Sequence, residues 1–196
     1  MIHALYIDPR GPYPSLIGPE NCWDEKRDAR KYAGPWPVVA HPPCGPWGKL
    51  SHFCKHQDKS AGPHAVAMVR NWGGVLEHPV GSQLFRSLAL PMPGMGPDQF
   101  GGFTVEVNQC EWGHPTRKPT WLYIVGAHIS ALEAPPFPGR QPTHAVCNGR
   151  GQRAKGGEVR QRATAFQARE TPVAFASYLV RIATASRRAA APLAGP

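Results

Sequence analysis

Apolar residues in this chain come in short runs closed by proline and glycine rather than in long stripes. Residues 3–7 (HALYI) are the first such run, read as a strand that ends at Asp8-Pro9-Arg10-Gly11-Pro12. Residues 19–33 are polar and charged and predict one short helix or a loop. Residues 37–40 (PVVA) read as a buried strand, stopped by Pro42 and Pro43. A loop rich in Gly, Lys and His covers 45–61. Over 63–72 the apolar residues recur at helical spacing, proline stands at the start and Gly73-Gly74 follow, so this segment is a helix.

A strand over 74–77, stopped by Pro79, and a short helix around 81–89 come next. A loop of Pro, Gly and Met (91–102) leads to strands at 103–108 and 121–125. Residues 126–162 are poor in apolar side chains and rich in Pro, Gly and Arg, as in a surface excursion that touches a ligand. Residues 171–185 form an amphipathic C-terminal helix with Thr171 as N-cap and Pro172 at the first helical position, and the tail after it reads as loose. Strand and helix alternate and no segment repeats, which predicts an α/β sheet with site residues at strand ends.

Composition narrows this only a little. A chain of 196 residues, 41% hydrophobic, suits one domain with a small appended lobe; 23 Pro and 21 Gly, without a period, stiffen its loops. The formal net charge of +9 favours an anionic partner, commonly nucleic acid, over a merely basic soluble protein only when joined to other signals. The N-terminal segment lacks the pattern of a signal peptide, and no apolar run reaches the length of a membrane span. A cytoplasmic location is the expectation, and five cysteines, an odd number, argue against a disulfide framework.

Three signals fall at predicted strand ends in one order: Pro42-Pro43-Cys44, then Leu76-Glu77-His78-Pro79, then Trp112-Gly113-His114-Pro115-Thr116-Arg117-Lys118-Pro119-Thr120 running into a strand. Together they resemble the catalytic half of the DNA cytosine-C5 methyltransferases, a resemblance strongest over residues 36–126 and of bacteriophage type. That family carries a Pro-Pro-Cys loop, a Glu-Asn-Val strand end and a Tyr-Gly-x-Pro-Gln-x-Arg-x-Arg segment. Lys118 stands at the first arginine of the last segment, Thr116 at its glutamine and Thr120 at its last arginine.

The resemblance implies a small, reduced Rossmann-like methyltransferase sheet flanked by helices, with a short basic insertion in place of a full target-recognition domain. Residues 1–125 would be the catalytic core, 126–165 the basic loop region, 166–186 a helix packing back on the core and 187–196 a flexible tail. Cys44 would add to C6 of a pyrimidine and turn C5 into a nucleophile. Its thiol should then be lowered by positive surroundings, with Lys49, Lys55 and Lys118 as candidates. Glu77, with its carboxyl raised in a dry pocket, would protonate N3 and accept from the exocyclic amine. Thr120 would hydrogen-bond the base's O2. The base must be flipped out, or be presented on a single strand or a free nucleotide. The partner is therefore DNA or a pyrimidine nucleotide, and Arg117, Arg140, Arg150, Arg153, Lys155 and Arg160 are the candidate phosphate contacts.

The cofactor implied is S-adenosylmethionine, with Asp8, Gly11, Asp24 and Pro42 as the residues that would hold it. Here the chain departs from the family. The Phe-x-Gly-x-Gly-Gly turn after the first strand is replaced by Asp8-Pro9-Arg10-Gly11-Pro12-Tyr13. Only residues 14–43 separate that turn from Cys44, so at least one strand–helix unit is missing or shrunken. Glu170 falls near the position of the family's last asparagine, where it would repel a cofactor carboxylate.

Two other readings remain open. The same Cys–Glu pair also suits pyrimidine deamination or hydroxymethylation without S-adenosylmethionine. Alternatively, His52, Cys54, His56, Cys110, His114, His144 and Cys147 include ligand types for structural zinc, as in a basic DNA-binding module without catalysis, although none has paired Cys-x-x-Cys spacing.

Overall fold

The computed structural model of the chain describes residues 1–48, 51–54, 57–146 and 160–186. Strands β1 (His3–Leu5), β2 (Cys22–Trp23), β3 (Val38–Ala40), β4 (Gly74–Pro79), β5 (Phe103–Asn108) and β6 (Pro119–Val125) form one sheet in the order β2-β1-β3-β4-β6-β5. The first four neighbours run parallel. β6 then pairs antiparallel with β4, and β5 closes the edge antiparallel to β6. Helices α1 (Tyr13–Ile17), α2 (Ala61–Trp72), α3 (Gln83–Ser87), α4 (Ala165–Arg169) and α5 (Val173–Ala185) surround the sheet, making a mixed α/β fold.

Parallel strands are stable only with both faces covered, and β3 shows this directly: Val38, Val39 and Ala40 are each 0% exposed. Alternation sorts the side chains into two cores. Val39, Val75, Leu122 and Ile124 pack with Phe175, Tyr178, Leu179 and Ile182 of α5. Val38, Ala40, Leu76, Tyr123 and Val125 pack with Ala65, Val66 and Val69 of α2 and with Leu84 and Phe85 of α3. Gly74 lets β4 approach β3: its φ is +115°, and a Cβ there would lie 2.0 Å from the Val38 carbonyl oxygen.

From β1 the chain steps outward to β2, then returns across β1 to β3. The strand order therefore reverses between β1 and β3, and the crevice beyond their carboxyl ends is where open α/β sheets hold ligands. β2 is only two residues long. It lies inside 19–33, a segment expected to be one short helix or a loop, between 3-10 turns at Pro19–Asn21 and Ala29–Lys31.

Other elements differ from expectation for local reasons. β4 runs on through Pro79, which pairs with Thr120 at the ladder's end, where a missing N–H costs little. β6 begins at Pro119, two residues early, which carries Thr120 into the sheet. Thr171 does not cap α5; Pro172 occupies the cap position with no side-chain hydrogen bond. The missed helix α4 is announced by a capping box, in which Thr164 accepts from the Gln167 N–H while the Gln167 side chain accepts from the Thr164 N–H. Within the basic excursion, β7 (His144–Ala145) and β8 (Gln161–Arg162) pair in parallel, and Thr116 bridges to His144. The tail at 187–196 lies outside the described residues.

Candidate active site

The site is built where β3 and β4 end, on the sheet face covered by α5. Strand alternation places His41, one residue past β3, on the same side as Val39, and Glu77 on the same side as Val75. The two side chains meet: His41 Nδ1 lies 3.1 Å from Glu77 Oε2, with 13% and 11% of the side chains exposed. On its other ring nitrogen, His41 Nε2 lies 2.6 Å from the hydroxyl of Tyr13 in α1, itself 2% exposed. The second carboxylate oxygen of Glu77 accepts from Gln109 Nε2 at 2.9 Å, and the same amide nitrogen donates to Thr120 Oγ1 at 3.0 Å.

Burial would raise the Glu77 carboxyl. The hydrogen bond from His41, its charge, and the positive potential of Lys118 and His78 overcome that and hold the carboxyl at about 2. This corrects the expectation of a raised carboxyl: the pocket is dry but not unpaired, and the resting glutamate is ionised. An ionised carboxylate only accepts, so Nδ1 of His41 carries the proton between them, and the amide of Gln109 must present nitrogen to it. The Gln109 carbonyl oxygen is left buried without a partner among the described residues.

Cys44 sits in the turn after Pro42-Pro43 and opens a 3-10 turn at Gly45–Trp47. As a residue it is exposed. Around the sulfur, loss of solvent is nonetheless the largest influence, followed by the negative Glu77, and together they push the thiol up from its ordinary value; a backbone N–H and Lys118 pull the other way. The expected lowering of this thiol is thus absent in the resting site, because burial of the sulfur and then the charge of Glu77 outweigh the backbone N–H and Lys118. Cys44, Glu77 and Lys118, far apart in sequence, share one electrostatic environment. Lys49 and Lys55 lie outside the described residues.

Lys118 Nζ donates to the Glu170 carbonyl at 3.4 Å, tying the β5–β6 connection to the approach to α5. Thr120 is 0% exposed; its hydroxyl donates to the Lys118 carbonyl at 3.1 Å while accepting from Gln109. With its one proton used, it has none to offer a base's O2. It acts through Gln109 on Glu77 instead.

Beyond the ends of β1 and β2 lies a cleft of about 290 Å³, lined by Ile7, Pro9, Pro14, Pro19, Cys22, Asp24 and Arg27. Asp24 stands directly after β2, where its Oδ1 accepts from the Arg27 N–H at 2.8 Å. Asp8 is engaged elsewhere: Arg10 reaches both its oxygens, at 3.0 and 2.8 Å, and holds its carboxyl at about 2. Gly11 and Pro42 are not part of that lining, and Pro42 is buried.

Of the candidate phosphate contacts, Arg117 is exposed and Arg160 half-buried. The Arg140 guanidinium lies over Phe137, 5.3 Å from the ring centroid. Arg150, Arg153 and Lys155 lie outside the described residues, as do His56 and Cys147. Among the described residues no three His, Cys, Asp or Glu side chains are gathered to hold a metal ion. Cys110 Sγ instead donates to the Arg140 carbonyl at 3.4 Å, and His114 Nδ1 accepts from the Thr116 N–H at 3.0 Å. Trp112 packs against Tyr178, ring centroids 5.0 Å apart, rather than facing a ligand.

No protein-family model, curated protein or solved structure matches the chain. Sequence reading passed over His41, Tyr13 and Gln109. Each adjoins a segment it did single out: His41 precedes Pro42, Tyr13 ends the first turn, and Gln109 follows β5. Only their meeting on one sheet face identifies them.

Proposed function

We propose that this chain is an enzyme that modifies a pyrimidine base in DNA through a thiol adduct at C6, in the manner of a DNA cytosine-C5 methyltransferase. One observation carries the reading: the parallel pairing of β3 and β4 brings Cys44, four residues past β3, and Glu77, near the end of β4, to one edge of the sheet, where the charge of Lys118 acts on both. The parallel order β2-β1-β3-β4, with its reversal between β1 and β3, supports a Rossmann-like sheet.

Cys44 adds to C6, and the electrons displaced into the ring are balanced by a proton at N3. Glu77 faces the base edge that carries N3 and the exocyclic amine. Gln109 and Thr120 keep the Glu77 carboxylate from rotating. Lys118 stabilises negative charge at sulfur.

The cleft beyond β1 and β2 fits the adenosine end of S-adenosylmethionine in part. Its prolines and Ile7 would cover the adenine and Asp24 would take ribose hydroxyls, while the captured Asp8 would not. When bound, that cofactor supplies a methyl group. The same capture of Asp8, with the cleft at the lower end of ligand-pocket volumes, favours a second reading in which the pyrimidine is modified without S-adenosylmethionine. Incubation with radiolabelled S-adenosylmethionine and DNA, followed by mass spectrometry of the nucleosides, tests both. Label in 5-methylcytosine supports the first. A different modified pyrimidine, with no cofactor binding by calorimetry, supports the second. Unmodified DNA with both would defeat the enzymatic reading.

A further inference from the structure

We infer that Tyr13, His41 and Glu77 form a proton relay in which His41 holds, in the resting site, the proton that Glu77 hands to N3 of the base as Cys44 adds at C6. The inference rests on the reading of Cys44 as nucleophile. It goes beyond it by giving His41 and Tyr13, which act through Glu77 and do not touch the base, a part in the reaction.

The geometry is continuous. Tyr13 hydroxyl to His41 Nε2 is 2.6 Å, and His41 Nδ1 to Glu77 Oε2 is 3.1 Å, with all three side chains nearly shielded from water. The relay is needed because Glu77 is ionised at rest and has no proton of its own to give. A hydroxyl suits the far end. It accepts from the Nε2–H both while the ring is an imidazolium and after Nδ1 has given up its proton, so both states are satisfied without rearrangement. The groups facing this chain are Glu77 and His78 of β4, Lys118 before β6, and Cys22 of β2 beside Tyr13. Lys118 favours the carboxylate, and the hydrogen bond from His41 Nδ1 places the proton on His41 until a base displaces that balance.

The step balances. The Cys44 thiolate forms the S–C6 bond, and the ring takes the electron pair and binds a proton at N3 from Glu77, which takes one from His41 Nδ1. The imidazole is left neutral, its Nε2–H still donating to the Tyr13 hydroxyl. Reversal breaks S–C6 and returns the proton. Protonating Glu77 also removes the negative charge that raises the Cys44 thiol, so delivery of the proton and activation of the nucleophile reinforce each other.

In the adduct C5 can take a proton from solvent and then lose its original hydrogen before S–C6 breaks, so the C5 hydrogen of cytosine exchanges with solvent and no methyl donor is needed. The experiment is therefore tritium release from [5-³H]cytosine DNA by wild type, Cys44→Ala, His41→Asn and Tyr13→Phe, between pH 5 and 9. Asparagine can still donate a hydrogen bond to Glu77 but holds no titrating proton. The expected result is loss of exchange in Cys44→Ala and a fall of about 10²-fold or more in His41→Asn. Tyr13→Phe should fall by up to about tenfold, the worth of one hydrogen bond. A wild-type rate in His41→Asn would overturn the relay while leaving the Cys44 reading intact. Absence of Cys44-dependent exchange in wild type would overturn that reading. The relay is judged separately by ¹³C NMR of the Glu77 carboxyl, which should titrate at clearly higher pH in His41→Asn than in wild type. An unmoved carboxyl would overturn it whatever the exchange data show.

Discussion

Glu77→Gln probes the buried pair through the pH dependence of stability. A carboxyl that titrates at about 2 in the folded chain, against 4.5 as its ordinary value, is stabilised by folding in its charged form. The sign follows: the contribution is fully present above pH 4.5 and is lost as pH falls toward 2. At 1.36 kcal/mol for each pH unit between the two values, it is worth about 3 kcal/mol. Glutamine keeps the shape and the contact with Gln109 but removes the charge that His41 partners. Urea unfolding followed by fluorescence of the six tryptophans should find Glu77→Gln less stable than wild type by about 3 kcal/mol at pH 7. The gap should close progressively below pH 4.5 and shrink to about a quarter by pH 2.5. Groups common to both proteins cancel in the difference. A gap that stays constant from pH 7 to pH 3, or none at pH 7, would refute the charged, His41-paired glutamate.

His78 is 1% exposed, both its ring nitrogens lack a hydrogen-bond partner among the described residues, and burial, the largest influence, holds it at about 4 against 6.5; its contribution is present above 6.5 and lost as pH falls toward 4. The urea midpoint of His78→Leu should therefore change less than that of wild type between pH 7 and pH 5. Gly74→Ala forces a Cβ to 2.0 Å from the Val38 carbonyl at φ +115° and should cost about 3 kcal/mol or more, read as a lowered thermal midpoint; a midpoint equal to wild type would contradict the close approach of β3 and β4. Affinity for DNA should fall steeply with added salt if the arginines of the basic excursion meet phosphates, while a flat response measured by fluorescence anisotropy would favour a mononucleotide substrate.

Much of the fold was legible because strong local signals agree with the tertiary outcome. Residues 103–108 and the helix before Gly73-Gly74 stand close to where periodicity and punctuation place them. β2 was hidden because two residues between charged turns carry no period, and their pairing with β1 is a long-range fact. The site divides in the same way. Cys44 and Glu77 could be read from motifs, but their ionisation could not, since it depends on His41 and Lys118 arriving from other segments. Thr120 shows the limit from the other side: its place in the motif suggested a base contact, whereas the early start of β6 buries its hydroxyl against Gln109 and the Lys118 carbonyl.

The central claim is a covalent bond between the Cys44 sulfur and a pyrimidine ring. DNA carrying 5-azacytosine, whose C6 is more electrophilic than that of cytosine, tests it when mixed with the protein and analysed by mass spectrometry after protease and nuclease digestion. A nucleotide attached to Cys44, and no adduct in Cys44→Ala, is the result predicted. An unmodified Cys44 in protein that demonstrably binds that DNA would contradict it.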